Sequence, residues 1–162
     1  MKKLLLTMAL GTAMILVSCG EKKEKKEKFS YERTQTEKKS EKSGAQASKV
    51  PVDMSNKGIG PIKEVEFGDI DNDLAAKGEE AFKVKCTACH KTDQKFIGPA
   101  LTGIYERRSP EWVMNMMLNP DEMQKEDPIA KALVEEYNGT LMLNQNLSED
   151  EARAIAEFLR TL

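Results

Sequence analysis

The chain holds one histidine, one tryptophan and three cysteines among 162 residues, and aromatics make up only 6% of it. A single histidine excludes any site that needs two imidazoles from this chain, and three cysteines cannot all pair within it. No apolar run reaches the length of a comfortable membrane-spanning helix. No phosphate-binding loop, carboxylate pair or Ser/His nucleophile is present, and no strand–helix alternation of an α/β fold is seen. Net charge is nearly lacking as well: 25 basic and 27 acidic residues leave −2, which argues against a nucleic-acid partner. The length is short for two domains and long for a bare tether.

What is present begins with an address. Lys2 and Lys3 precede Leu4 to Val17, a stretch that is apolar or small throughout and too short to span a bilayer. It closes on Leu16-Val17-Ser18-Cys19. A small residue ahead of a cysteine at the end of such a segment resembles the lipobox of bacterial lipoproteins, whose signal is cleaved before an acylated cysteine. That resemblance implies a signal peptide over 1–18, lipidation at Cys19, and a domain held in the bacterial cell envelope outside the cytoplasm, on the periplasmic side. Several acyl chains would hold it firmly, where one gives only marginal binding. The alternative is an ordinary secretory signal.

Residues 19–56 read as a charged, flexible, disordered tether. They hold two aromatics and few aliphatics, too little apolar surface to offset the entropy of ordering. The near-zero net charge is a cancellation. Residues 20–50 carry ten basic and six acidic side chains, whereas residues 51–162 carry 13 basic and 21 acidic ones. The domain is expected over 57–162 with a helical core at 72–162. Pro51 to Asp73, with Gly58, Gly60, Pro61 and Gly68 among scattered apolar residues, reads as an irregular arm packed on it.

Helical spacing from Leu74 to Lys85 runs into Cys86-Thr87-Ala88-Cys89-His90. Two thiols three positions apart can form thioethers with the two vinyl groups of one haem, and the next residue presents an imidazole to the iron. C-x-x-C-H is therefore the attachment signature of c-type haem. A structural zinc site needs four ligands, and no further Cys or His remains in the domain. A redox dithiol would follow a strand, and a plain disulfide leaves His90 without a role.

The flanks resemble class I cytochrome c over Leu74 to Leu162. Gly78 and Phe82 stand where that family crosses its first and last helices, and Ile155, Phe158 and Leu159 match the apolar face of the last one. Ile97-Gly98-Pro99-Ala100-Leu101 is like the family's G-P-x-L segment. The resemblance implies an all-α domain of four or five helices around one covalent haem c. It also implies that the Pro99 carbonyl accepts a hydrogen bond from His90 Nδ1, leaving Nε2 for iron.

With no second histidine, thioether sulfur is the next axial ligand. Met54 lies in the arm, and Met114, Met116, Met117 and Met123 fall in or just beyond a helix starting at Ser109-Pro110, where core packing suits them. Met142 lies in a loop ahead of the final helix, which Ser148 and Glu151 start with a capping box. The family places its ligand methionine in such a loop, commonly before a proline, where this chain has Leu143. Trp112 either reaches a haem propionate with its indole N–H or fills the core. Arg107 and Arg108 either steady propionates or are solvated. Asp127-Pro128 starts a further helix through about Tyr137.

With both axial positions filled by protein, no substrate position remains, so the expected function is non-enzymatic. It is single-electron transfer between extracytoplasmic or membrane redox proteins, Fe(III)/Fe(II), by a monomer or a subunit of a respiratory complex. The acidic domain would favour basic docking patches. The alternatives are a haem enzyme or gas sensor with an open sixth position, and a fixed electron-entry subunit of a respiratory or denitrification complex.

Overall fold

The computed structural model describes residues 48–162; the signal segment, Cys19 and most of the tether lie outside the described residues. The chain forms α1 (Asn72–Lys85), a 3-10 turn (Ile104–Glu106), α2 (Pro110–Leu118), α3 (Pro120–Glu126), α4 (Pro128–Glu136) and α5 (Glu149–Leu159). The described residues contain no strand, only an isolated bridge between Asp53 and Arg108. None of the described helices is long and apolar enough to cross a membrane. The all-α class expected from sequence is the one observed.

Local chemistry sets the helix ends. The Asp71 carboxylate accepts from Leu74 N at the start of α1, and Lys83 and Lys85 sit in its last turn, where cations oppose the dipole. Ser109 caps α2 by accepting from Trp112 N at 3.1 Å. Ser148 and Glu151 form the reciprocal box that opens α5.

Prolines divide the middle of the chain. Pro110, Pro120 and Pro128 each occupy the first position of a helix, where a missing N–H leaves nothing unsatisfied. Each also biases the preceding residue away from helical geometry, so Asn119 and Asp127 leave the helical region. The methionine-rich stretch, expected to lie in or just beyond one helix starting at Ser109-Pro110, is thereby split into α2 and α3.

Two helices make the main crossing. A Cβ at Gly78 would overlap the Ala154 carbonyl oxygen, so glycine is needed for α1 and α5 to touch backbone to backbone. Beside this point Phe82 packs on Phe158 with ring centroids 5.4 Å apart. Ile155 and Leu159 are buried under the same crossing. Tyr105 of the 3-10 turn donates to the Ala156 carbonyl at 2.9 Å.

The arm expected from Pro51 packs against the helices, and the contact extends a few residues ahead of it: Val50 is buried, Arg108 Nη1 donates to the Pro51 carbonyl at 2.9 Å, and Ser109 Oγ donates to the Asn56 carbonyl at 2.7 Å. Docking through backbone carbonyls needs few apolar side chains, which is why composition does not reveal it. Further along, Asn115 Nδ2 donates to the carbonyls of Lys57 and Ile62. Phe67 is flanked by the guanidinium groups of Arg153 and Arg160, 4.9 and 4.5 Å from its centroid. Those arginines pair with Glu157, a fully buried carboxylate that also accepts from Asp71 N at 3.0 Å.

Candidate haem site

The motif begins where α1 ends. Cys86 closes the helix by donating its N–H to the Phe82 carbonyl, and Cys89 N and His90 N both return to the Cys86 carbonyl, at 3.0 and 2.9 Å. This single tight turn carries both thiols and the imidazole at the C-terminal end of α1. The following loop folds back onto it through Gly98 N to the Cys89 carbonyl at 2.8 Å, and it is closed by Leu101 N and Thr102 N on the Thr92 carbonyl. Arg107 braces the same loop by donating to the carbonyls of Ala100 and Thr102.

His90 is fixed on two sides. Its Nδ1 lies 3.0 Å from the Pro99 carbonyl oxygen; a carbonyl only accepts, so Nδ1 carries the proton and Nε2 keeps its lone pair. A Cβ at Gly98 would stand 2.5 Å from His90 Cε1 and 2.9 Å from Nδ1, so the glycine backbone lies against the ring. The sequence places Gly98 only in the G-P-x-L segment; that it beds the imidazole is visible in the geometry alone. Burial holds the His90 pKa below the usual imidazole range, with the Pro99 hydrogen bond opposing it. The ring is neutral at pH 7 and suited to ligate a metal.

Cys86 is half-buried and Cys89 exposed, and the two are not joined to each other as a disulfide. Burial pushes the Cys86 pKa up to about 11, against a smaller opposing effect of Lys85. It stays protonated at neutral pH, the form that adds S–H across a vinyl double bond. Among the described residues no group of three or more His, Cys, Asp and Glu is arranged to hold a bare metal ion.

The methionines separate by environment. Met114, Met117 and Met123 are buried in the core, and Met123 Sδ accepts a hydrogen bond from Ile59 N at 2.9 Å. Met54 is exposed in the arm, and Met116 packs on the core. Met142 is half-buried in an irregular loop between α4 and α5, and its backbone is held by Gln124, a residue the sequence did not single out.

Two sequence alternatives are corrected or resolved. The Trp112 indole N–H donates to Asp127 Oδ1 at 3.0 Å in the core, so it is not turned to a propionate. Arg108 is 4% exposed and committed to the backbone carbonyls of Pro51 in the arm and of Arg107, so it is neither solvated nor free for a propionate.

These residues fit a covalent haem c. Two cysteine sulfurs not paired with each other and an imidazole with a fixed tautomer share one turn. The large apolar side chains Phe96, Ile97, Leu141 and Leu143, each about half or more exposed, flank the His90 and Met142 segments, as suits contact with a flat apolar ring. The surface beside the motif also carries cations: Lys91 Nζ stands 5.0 Å from the Phe96 ring centroid and Lys95 Nζ 4.2 Å from that of Tyr137.

The profile of the cytochrome c family matches residues 75–162, and the chain belongs to that family of haem electron-transfer proteins. The family carries covalently bound haem c, and Cys86, Cys89 and His90 stand here as its C-x-x-C-H attachment motif. The chain is similar to cytochrome c2 of Rhodopseudomonas palustris, 27% identical over 112 residues that cover 54% of this chain and 97% of the relative. Among solved structures it is similar to cytochrome c from Rhodothermus marinus, with 51% identity, TM-score 0.61, and coverage of 63% of this chain and 88% of that one. An engineered form of the Rhodothermus marinus protein bound to a carbene intermediate is also 51% identical, with TM-score 0.58 and the same coverage.

Proposed function

We propose that the protein is a membrane-anchored, mono-haem electron carrier whose iron is ligated by His90 and Met142. Bound haem supplies one-electron exchange between Fe(III) and Fe(II). The protein's part is to hold the imidazole through Pro99 and Gly98, to offer the Met142 sulfur, and to keep water from the core behind them. The observation that carries this reading is the fixed His90 tautomer in a chain with one histidine, together with Met142 in a loop while three other methionines are committed to the core.

Anchoring through Cys19 places the domain outside the cytoplasm on the periplasmic side, where donor and acceptor are extracytoplasmic or membrane redox proteins. The domain as a whole is acidic, yet Lys91 stands over Phe96 and Lys95 over Tyr137, so a partner approaching that side meets cations around apolar rings. The chain serves as a free monomer or as a subunit of a respiratory complex.

The test is the visible and near-infrared spectrum of the purified oxidised and reduced holoprotein. The oxidised protein should show a Met–iron charge-transfer band that Met142→Ala abolishes. Absence of that band from the wild type, with ready carbon monoxide binding after reduction, would overturn the carrier reading. A second reading, small-molecule chemistry at an open sixth position, is favoured by the carbene-bound engineered relative, and carbon monoxide binding is the outcome that selects it.

A further inference from the structure

Met142 lies in a stretch without regular secondary structure, in a family segment where a proline commonly follows the methionine and here does not. An unsupported loop would let its side chain sample many positions. The backbone of Met142 is nonetheless held at both of its polar groups by one side chain. Gln124 Oε1 accepts from Met142 N at 2.7 Å, and Gln124 Nε2 donates to the Met142 carbonyl at 3.0 Å. This is the pairing one strand would make with another, supplied by a single amide.

The amide itself is fixed. Gln124 Nε2 also donates to the Pro120 carbonyl at 2.8 Å, one turn earlier in α3. The nitrogen thus faces two acceptors and the oxygen faces a donor, an arrangement that the flipped amide could not satisfy. The helix bearing it is anchored in turn. Met123, the adjacent residue, is fully buried and accepts from Ile59 N, while Asn119 Nδ2 donates to the Ile59 carbonyl.

From this geometry we infer that Gln124 is a positioning residue for the axial methionine, holding the Met142 backbone where a following proline would otherwise stiffen the loop. The inference rests on Met142 as ligand. Loosening the clasp lets the sulfur leave the iron more often, so an external ligand competes better. Two ordinary hydrogen bonds correspond to about a tenfold change in that competition.

The experiment uses purified oxidised holoprotein, with imidazole as the competing ligand and amide hydrogen exchange at Met142 as the second readout. Gln124→Leu should raise imidazole affinity about tenfold and speed exchange of the Met142 amide. Gln124→Glu, which keeps the acceptor for Met142 N and loses the donor, should fall between Leu and wild type and serves if the Leu variant folds poorly. Both should retain the charge-transfer band when no imidazole is present. Unchanged imidazole affinity and unchanged Met142 exchange in both variants, with Met142→Ala still abolishing the band, would overturn the clasp and leave the ligand assignment standing. If Met142→Ala leaves the band intact, the ligand assignment fails first and the positioning role falls with it.

Discussion

Ile59 donates its backbone N–H to the sulfur of Met123, 2.9 Å away, in a place where Met123 has no solvent exposure. A thioether is a weak acceptor, yet here it satisfies a backbone donor of the arm. Gly58 beside it has φ +71, and a Cβ there would stand 2.8 Å from the same sulfur. Met123→Leu keeps the volume and removes the acceptor. It should cost about 1–3 kcal/mol, the usual penalty for an unpaired buried group, read by urea unfolding of the holoprotein. The charge-transfer band should be unchanged; its loss would make Met123 an iron ligand.

Gly98 and Gly68 should respond oppositely to alanine. At Gly98 the new methyl would press on the His90 ring, whereas Gly68 has nothing within 4 Å of its Cβ position. Gly98→Ala should displace the imidazole, lower the yield of holoprotein and shift its absorption and midpoint potential. Gly68→Ala should leave the spectrum alone and change stability by no more than about 1 kcal/mol. A normal spectrum in Gly98→Ala would show that the ring is not held by that backbone.

Glu157 ties acid stability to the arm. Burial alone would raise its carboxyl, but Arg153, the Asp71 amide and Arg160 outweigh it, so its pKa is lowered. A lowered pKa stabilises the fold above the ordinary carboxylate range, and that contribution is lost as pH falls through the folded value. The stability gap between wild type and Glu157→Gln should therefore be widest at neutral pH and close on acidification. Urea unfolding across that range measures it, and a gap that widens towards acid would reverse the sign.

The cysteines separate attachment from anchoring. Cys86→Ala with Cys89→Ala should give a chain with no haem after denaturing electrophoresis, with its small core poorly formed. Cys19→Ser should release the protein from membranes with its absorption spectrum intact. Continued membrane association in that variant would point to an uncleaved signal.

Much of this was legible from residue types alone. C-x-x-C-H, Gly78 with Phe82, and the capping box of α5 are local or fixed-spacing signals, and each sits in the structure as such signals require. The arm from Pro51 was legible as an irregular packed segment, but its contacts were not, because they use backbone carbonyls and polar side chains such as Arg108 and Ser109. Helix α3 was hidden because it is short and mostly polar, with Met123 its one large apolar side chain. Trp112 was ambiguous until Asp127, 15 residues on, was seen to accept its N–H. Gln124 gave no signal: an amide on a short helix looks like solvated surface until the Met142 loop is placed against it.

The arm's hydrogen bonds are laid out one after another along the chain. Ser48 and Lys49 meet Glu136, Pro51 meets Arg108, Asn56 meets Ser109, Lys57 and Ile62 meet Asn115, and Gly68 meets Arg160. Bonds loaded in sequence yield singly, as a zip does, whereas bonds loaded side by side resist together. A pull applied to the chain ahead of Ser48 is therefore spent peeling the arm, one bond at a time, before any tension reaches α1 and the thiols at its end. Under such a pull these bonds would yield before the turn that carries Cys86, Cys89 and His90 does.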